Sequence, residues 1–209
     1  MQVLEANQLL SDETIDLLWV QVAGVIILFM QYGFSLLESG SVRNKNRLNV
    51  LLKNCLDTIV GGLVWWAWGF GLAYGKSKGD GKIFGTKYYF GMDIEEEDQV
   101  GKMFAQFAFA CTATTIVSGS VAERINLGCY MVYSLIMAGF IYPTIVSWTW
   151  GHGWLYEKGF VDFAGSCVVH MTGGFAGIVA AYFTGPRLGR FQSIRPSGDV
   201  NIPKIDNSG

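Results

Sequence analysis

Five long stretches of this chain carry no Asp, Glu, Lys or Arg, and no other feature restricts its fold as strongly. They are residues 17–37, 58–75, 103–122, 125–156 and 163–185. A hydrocarbon core about 30 Å thick is crossed by roughly 20 apolar residues rising about 1.5 Å each, so a run of this length reads as a membrane span. The second run extends backward through Asp57 to about Leu48. The fourth is too long for one span. It contains Pro143 and the Gly151-His152-Gly153 break, so it reads as a helix to about Trp148 followed by a structured loop. Pro186 and Arg187 end the fifth.

Composition agrees. Only 15% of the 209 residues are charged and 51% are hydrophobic, against about 25% charged in an ordinary soluble domain. Mean hydropathy is +0.32. With 15 basic and 17 acidic residues there is no excess charge to recruit a polyanion, so a nucleic-acid partner is excluded, as is a disordered chain. The expected fold is all-α: a polytopic transmembrane helical bundle over 1–185, with spans at about 15–38, 48–75, 103–122, 126–148 and 163–185. A polar cytoplasmic tail is expected over 186–209. Glu5, Asp12, Glu13 and Asp16 precede the first span, which does not fit a conventional signal peptide.

Five spans put the two ends of the chain on opposite sides, and the basic residues orient them. Nine fall on one side: Arg43, Lys45, Arg47, Lys53, Arg124, Arg187, Arg190, Arg195 and Lys204. Six fall on the other, Lys76, Lys78, Lys82, Lys87, Lys102 and Lys158, beside the acidic residues Asp93 and Glu95 to Asp98, which read as a solvated loop. The expectation is an N-terminus outside and a C-terminus in the cytoplasm. Cys55, Cys111, Cys129 and Cys167 lie in or beside the spans without CxxC spacing, and read as small buried apolar residues, with no metal ligation.

Ionisable groups inside hydrocarbon are costly, so each needs a partner or a task. His170 lies eight residues after Asp162, about 12 Å down a helix that starts at the outer face. It is either a neutral imidazole hydrogen-bonded to a neighbouring helix or a pore-lining group that handles a polar solute or proton. Asp162 suits a helix N-cap. Glu38 and Asp57 sit near the inner ends of the first two spans, with Arg43 and Lys53 as candidate partners. Gly173 and Gly177 form a GxxxG step that favours close packing of the His170 helix. Trp148, Trp150 and Trp154 around the Gly-His-Gly break fit an aromatic belt or a cation–π site, and spacing alone does not choose between them.

The stretch Asp162-Phe-Ala-Gly-Ser-Cys-Val-Val-His170-Met-Thr-Gly-Gly-Phe-Ala-Gly177, running on to Gly185-Pro-Arg187, resembles the signature of the ammonium transporter (Amt/MEP/Rh) family. Further resemblance lies in Gln31-Tyr-Gly-Phe-Ser-Leu-Leu-Glu38-Ser-Gly-Ser-Val-Arg43-Asn-Lys45-Asn46 and in Phe109-Ala-Cys-Thr. It continues in Ser118-Gly-Ser-Val-Ala-Glu123-Arg124-Ile and Trp150-Gly-His-Gly-Trp154. The resemblance implies a helical-bundle pore assembled as a homotrimer, with one path per subunit and with ammonium or ammonia as the transported substrate. It implies membrane lipid as surroundings, no cofactor and no enzyme activity. Trp150 then matches the outer indole that recruits ammonium, and Phe109 one of two stacked rings closing the vestibule. His170 matches the first of two pore histidines, and Asp162 an acidic residue that organises the mouth. Phe104 and Phe107 compete with Phe109, which is preferred for its spacing from Gln106 and the following Ala-Cys.

The family pattern has about eleven spans built from two inverted five-helix repeats, and this chain matches the first repeat. The second pore histidine and second phenyl ring have no counterpart here. Two functions are therefore open: transport through a pore that is incomplete in this chain, and a non-transporting regulatory or ammonium-sensing membrane protein. The membrane expected is the plasma membrane.

Overall fold

The computed structural model describes residues 2–75, 83–94 and 97–187, and the pairs 193–194 and 200–201. Most of the expected tail over 186–209, and part of the acidic loop, lie outside the described residues. Among the described residues, five helices are long and apolar enough to cross a membrane. We label them α1 (Gln2–Ser41), α2 (Asn44–Tyr74), α3 (Glu97–Ser120), α4 (Leu127–Trp148) and α5 (Ser166–Thr184). A single helical turn, Trp154–Glu157, sits in the α4–α5 connection, and Ser193–Ile194 pairs antiparallel with Val200–Asn201.

The helix irregularities follow from residue chemistry. Pro143 in α4 has no N–H to give to the carbonyl of Gly139, and the helix widens into a π turn over Met137–Ile141 just before it. The freed Gly139 carbonyl accepts from the Trp68 indole N–H of α2 at 2.9 Å, so the defect becomes an interhelical bond. On α2 a matching π turn spans Trp65–Gly69, and the Trp65 indole donates to the Met103 carbonyl of α3 at 3.1 Å.

α3 is the centre of the bundle and meets each of the other four helices. It can do so because its middle is built from small residues: Ala108, Ala110, Cys111, Ala113, Thr112, Thr114 and Thr115 are all buried. The GxxxG step acts here. A Cβ at Gly173 of α5 would lie 2.8 Å from the Ala113 carbonyl oxygen, so only glycine permits this crossing. α1 and α5, in contrast, expose one apolar face each; Trp19 is 71% exposed, and Tyr182 and Phe183 are 82% and 81% exposed. These surfaces suit lipid or further helices, not water.

Inside the bundle runs a polar seam. Lys53 Nζ lies 3.1 Å from Glu38 Oε2 and donates to the Ser118 carbonyl at 3.2 Å. The Ser118 hydroxyl sits 2.7 Å from Glu38 Oε2 and 3.0 Å from Asn54 Oδ1. Asp57 is served by hydroxyls instead of a cation. Its carboxylate accepts from Ser134 of α4 and from Thr115 of α3, whose hydroxyl also lies 2.7 Å from Gln31 Oε1 of α1. Arg43, the other expected partner, turns to Glu123 at 3.0 Å. The difference arises because Lys53 and Glu38 face the same interior on adjacent helices, whereas Arg43 lies in the α1–α2 turn and is half exposed. The cysteines also divide: Cys111 is buried and Cys167 partly so, but Cys55 and Cys129 are exposed, on faces that the bundle does not cover.

Removing one partner of a buried pair leaves the other charge in a low-dielectric interior, at a cost of about 3–5 kcal/mol. Lys53→Met or Glu38→Leu should therefore lower the melting temperature of the detergent-solubilised chain sharply, while the double substitution recovers most of the loss. Additive losses in that cycle would show that the two side chains act separately.

Candidate functional site

The site begins where α5 begins. Asp162 Oδ1 accepts from the backbone N–H groups of Gly165 and Ser166 at 2.9 and 3.0 Å. Oδ2 accepts from those of Cys167 and Val168, both at 2.8 Å. The orphan donors of the first turn are thus satisfied by one carboxylate. Partial burial pushes the Asp162 pKa up, but the four N–H groups more than offset it and hold the carboxyl below its ordinary value. Gly165 has φ +85°, a conformation few other residues adopt, and it lets the chain turn sharply from the cap into the helix.

This turn corrects one expectation. Residues 163–165 form a bend, so α5 starts at Ser166 and not at the outer edge of the apolar run. The helix opens as a π turn over Ser166–Met171. His170 consequently lies four residues into the helix, about 6 Å from its start and not 12 Å. Its side chain is exposed on the open face of the bundle. That placement does not match a buried imidazole bonded to a neighbouring helix.

Trp150 closes the arrangement from the α4–α5 connection. Its indole N–H donates to the Asp162 carbonyl at 2.6 Å, and its ring lies 5.5 Å from that of Phe109 on α3, at 60°. A Cβ at Gly165 would come within 3.1 Å of the Trp150 ring, so the indole packs over the glycine turn. Its N–H is thus committed to the main chain, and the Trp150 side chain is half-buried. The rival rings lie elsewhere: Phe104 and Phe107 are tilted neighbours 6.5 Å apart, packed against Gly24 of α1 and Gly62 of α2 respectively. The fold therefore joins Trp150, Phe109 and Asp162 directly, and sets His170 one helical turn beyond the cap. Among the described residues no group of three or more His, Cys, Asp or Glu side chains is placed to hold a metal ion.

At the opposite end of the bundle lies a second convergence that the sequence did not reveal. Glu123 Oε1 accepts from the Arg43 backbone N–H at 3.1 Å and from Asn46 Nδ2 at 2.6 Å, and Arg187 approaches Oε2 at 3.6 Å. Burial raises the Glu123 pKa, but the Asn46 and Arg43 hydrogen bonds and the Arg43 charge bring it below the ordinary glutamate value. Arg124 donates to the Gly185 carbonyl at 2.5 Å, which ties the end of α5 to the same cluster. The signal available was the Arg43-Asn-Lys45-Asn46 and Glu123-Arg124 pair of polar turns at the ends of apolar runs.

The model of the Ammonium Transporter Family matches residues 18–203. A putative ammonium transporter of Synechocystis sp. is 44% identical over 184 residues, covering 85% of this chain and 41% of the relative. Ammonium transporter Amt2 of Archaeoglobus fulgidus is 39% identical, with 86% of this chain and 40% of the relative covered. Among solved structures, a sensor Amt protein superimposes with a TM-score of 0.81 at 35% identity, over 90% of this chain and 48% of that one. Candida albicans Mep2 gives 0.73 at 30% identity, over 82% and 39%. This chain thus spans about two-fifths of the length of the curated relatives it matches. It is an integral membrane protein, and it belongs to the ammonium transporter family.

Proposed function

We propose that this chain forms one wall of a pore that carries ammonium or ammonia across a membrane, with a second set of helices supplying the other wall. The observation that carries the reading is the open face of α5: His170 is exposed there, one turn below a mouth built from Asp162, Trp150 and Phe109. The apolar faces of α1 and α5 are suited to meet that second set of helices, neighbouring subunits of a homotrimer, or lipid. The assembly sits in the plasma membrane with the Asp162 end outside, as the distribution of basic residues favours.

An ammonium ion reaching the mouth meets the π face of Trp150 and the negative field of Asp162. Cation–π attraction, worth about 0.5–2 kcal/mol according to desolvation, replaces part of its water shell. Asp162 acts through its field and by holding the turn, since its carboxylate oxygens are already engaged by four N–H groups. Passage of a bare charge is costly, so desolvation favours loss of a proton. Neutral ammonia then passes Phe109 and is hydrogen-bonded by His170.

A second reading, ammonium sensing without transport, is favoured by one observation: the solved structure that superimposes with a TM-score of 0.81 is that of a sensor Amt protein. The two readings part on flux. A sensor would register ammonium as a change in Trp150 fluorescence while moving none.

Labelled methylammonium uptake by transport-deficient cells tests the proposal. The chain alone should conduct nothing, and the chain joined to a second five-helix set should conduct. In the joined form His170→Ala should reduce uptake by about tenfold or more, the scale of a lost pore contact worth about 1.4 kcal/mol. Full uptake by the chain alone, or by the His170→Ala form, defeats the assignment.

Asp162→Asn probes the mouth separately. Asparagine keeps one accepting oxygen but puts an NH2 group where Oδ2 accepts from Cys167 and Val168, leaving two N–H donors unpaired, so this variant should melt earlier at neutral pH. The sign of the pH effect is fixed by the depressed carboxyl: its stabilisation is complete above the ordinary value of 3.8 and disappears as pH falls toward the lower folded value. The melting temperatures of the two forms should therefore converge in acid, and a gap that stays constant to low pH would remove Asp162 as an ionised cap.

A further inference from the structure

Cys167 and Met171 lie four residues apart on the π turn that opens α5, and side chains at that spacing are neighbours on a helix surface. Here the two sulfurs meet: Cys167 Sγ is 4.0 Å from Met171 Sδ. The pair does not belong to the core. Met171 is 51% exposed and Cys167 is only partly buried, and His170, exposed as well, stands next to Met171 in the chain. Among cysteines expected to be inert, Cys167 therefore faces a second soft donor.

Thiol and thioether sulfurs are the ligands that select soft metal ions. A bound metal ion holds sulfur at about 2.3 Å. Two such bonds to sulfurs 4.0 Å apart enclose an angle of about 120°, that of a planar three-coordinate site with one position left for water. Charge narrows the choice further. Zinc takes four ligands and would bring two positive charges into a membrane-spanning segment, whereas a monovalent ion that displaces the thiol proton forms a neutral metal–thiolate unit. Asp162 favours the arrival of a cation, because its carboxylate lies 2.8 Å from the Cys167 backbone nitrogen and sets a negative field at this end of the helix.

We propose that Cys167 and Met171 form a binding site for a soft monovalent metal ion, Cu(I) or its analogue Ag(I). On binding, the metal–Sγ bond forms as the S–H bond breaks, and the proton passes to water. The Met171 thioether donates a lone pair, and no electron is transferred. An ion held there stands beside the residue on which the proposed passage of ammonia depends, so it obstructs that passage. The obstruction rests on the pore reading; the binding does not.

Silver is the probe, because it stays monovalent in air. The detergent-solubilised chain is prepared with Cys55→Ser and Cys129→Ser, which remove the other exposed thiols. It should bind silver one to one, with two sulfur neighbours in X-ray absorption at the silver edge. Cys167→Ser should abolish binding. Met171→Leu should weaken it by about tenfold or more, since even the loss of a partner outside the ligand set costs a metal site that much. Neither change should move the melting temperature of the silver-free chain, as both side chains reach the surface. Binding that survives Cys167→Ser overturns the proposal. So does a single sulfur neighbour with affinity indifferent to Met171→Leu, because a lone thiolate would then be the ligand. In proteoliposomes of the chain joined to a second five-helix set, silver should stop methylammonium uptake and the Cys167→Ser form should resist it. Uptake that silver leaves unchanged removes the obstruction, and a joined form that does not conduct counts against the pore alone, because binding is read on the unjoined chain.

Discussion

The organisation of this bundle depends on the cost of placing charge in hydrocarbon. Glu38, Lys53 and Asp57 lie within spans that have no water to solvate them, and all three are buried. The chain meets that cost by gathering them into one interior seam, where the Lys53 ammonium joins Glu38 and where hydroxyls from α3 and α4 serve Asp57. The seam draws on α1, α2, α3 and α4 together, so it fixes their rotation as well as their proximity. Lipids contribute no comparable driving force, since one apolar face is as content against acyl chains as against another helix. The outward faces are free to be apolar because these polar groups have been turned inward.

That division explains which parts of the fold were legible in the sequence. Span positions follow from the apolar runs because the bilayer thickness fixes the length of an uncharged helix. The widening of α4 was signalled by Pro143. The partner of Glu38 was not, because Arg43 is five residues away and Lys53 fifteen, and the closer cation lies in a turn that faces Glu123. The start of α5 was also hidden. The apolar run begins at Phe163, yet the Asp162 carboxylate bonds four successive N–H groups and needs a bend at Gly165 to do so. Both failures are long-range or conformational facts that composition does not carry.

Of the candidate site, motif resemblance named four residues and preferred Phe109 to Phe104 and Phe107 for its spacing, and three-dimensional placement shows which of the three rings meets Trp150. All three rings lie on α3 within six residues. Helical periodicity sends two of them toward α1 and α2 and one toward Trp150. The convergence of Arg43, Asn46 and Arg187 on Glu123 joins segments up to 144 residues apart, and no local pattern specifies it.

The two ends of α5 are held in different ways, and the difference bears on the proposed pore. At the mouth Asp162 bonds main-chain donors of its own helix, so the position of His170 relative to the cap is set within one segment of about ten residues. At the far end Arg187 and the Gly185 carbonyl are held by Glu123 and Arg124, which belong to the α3–α4 turn. Between them Gly173 lets α5 lie directly on the backbone of α3. His170 is thus placed by a rigid local cap and a close helix crossing, while its ring is exposed on the open face of the bundle. A side chain held so firmly at its base and left open at its tip is suited to meet a ligand or a wall that the five helices themselves do not provide.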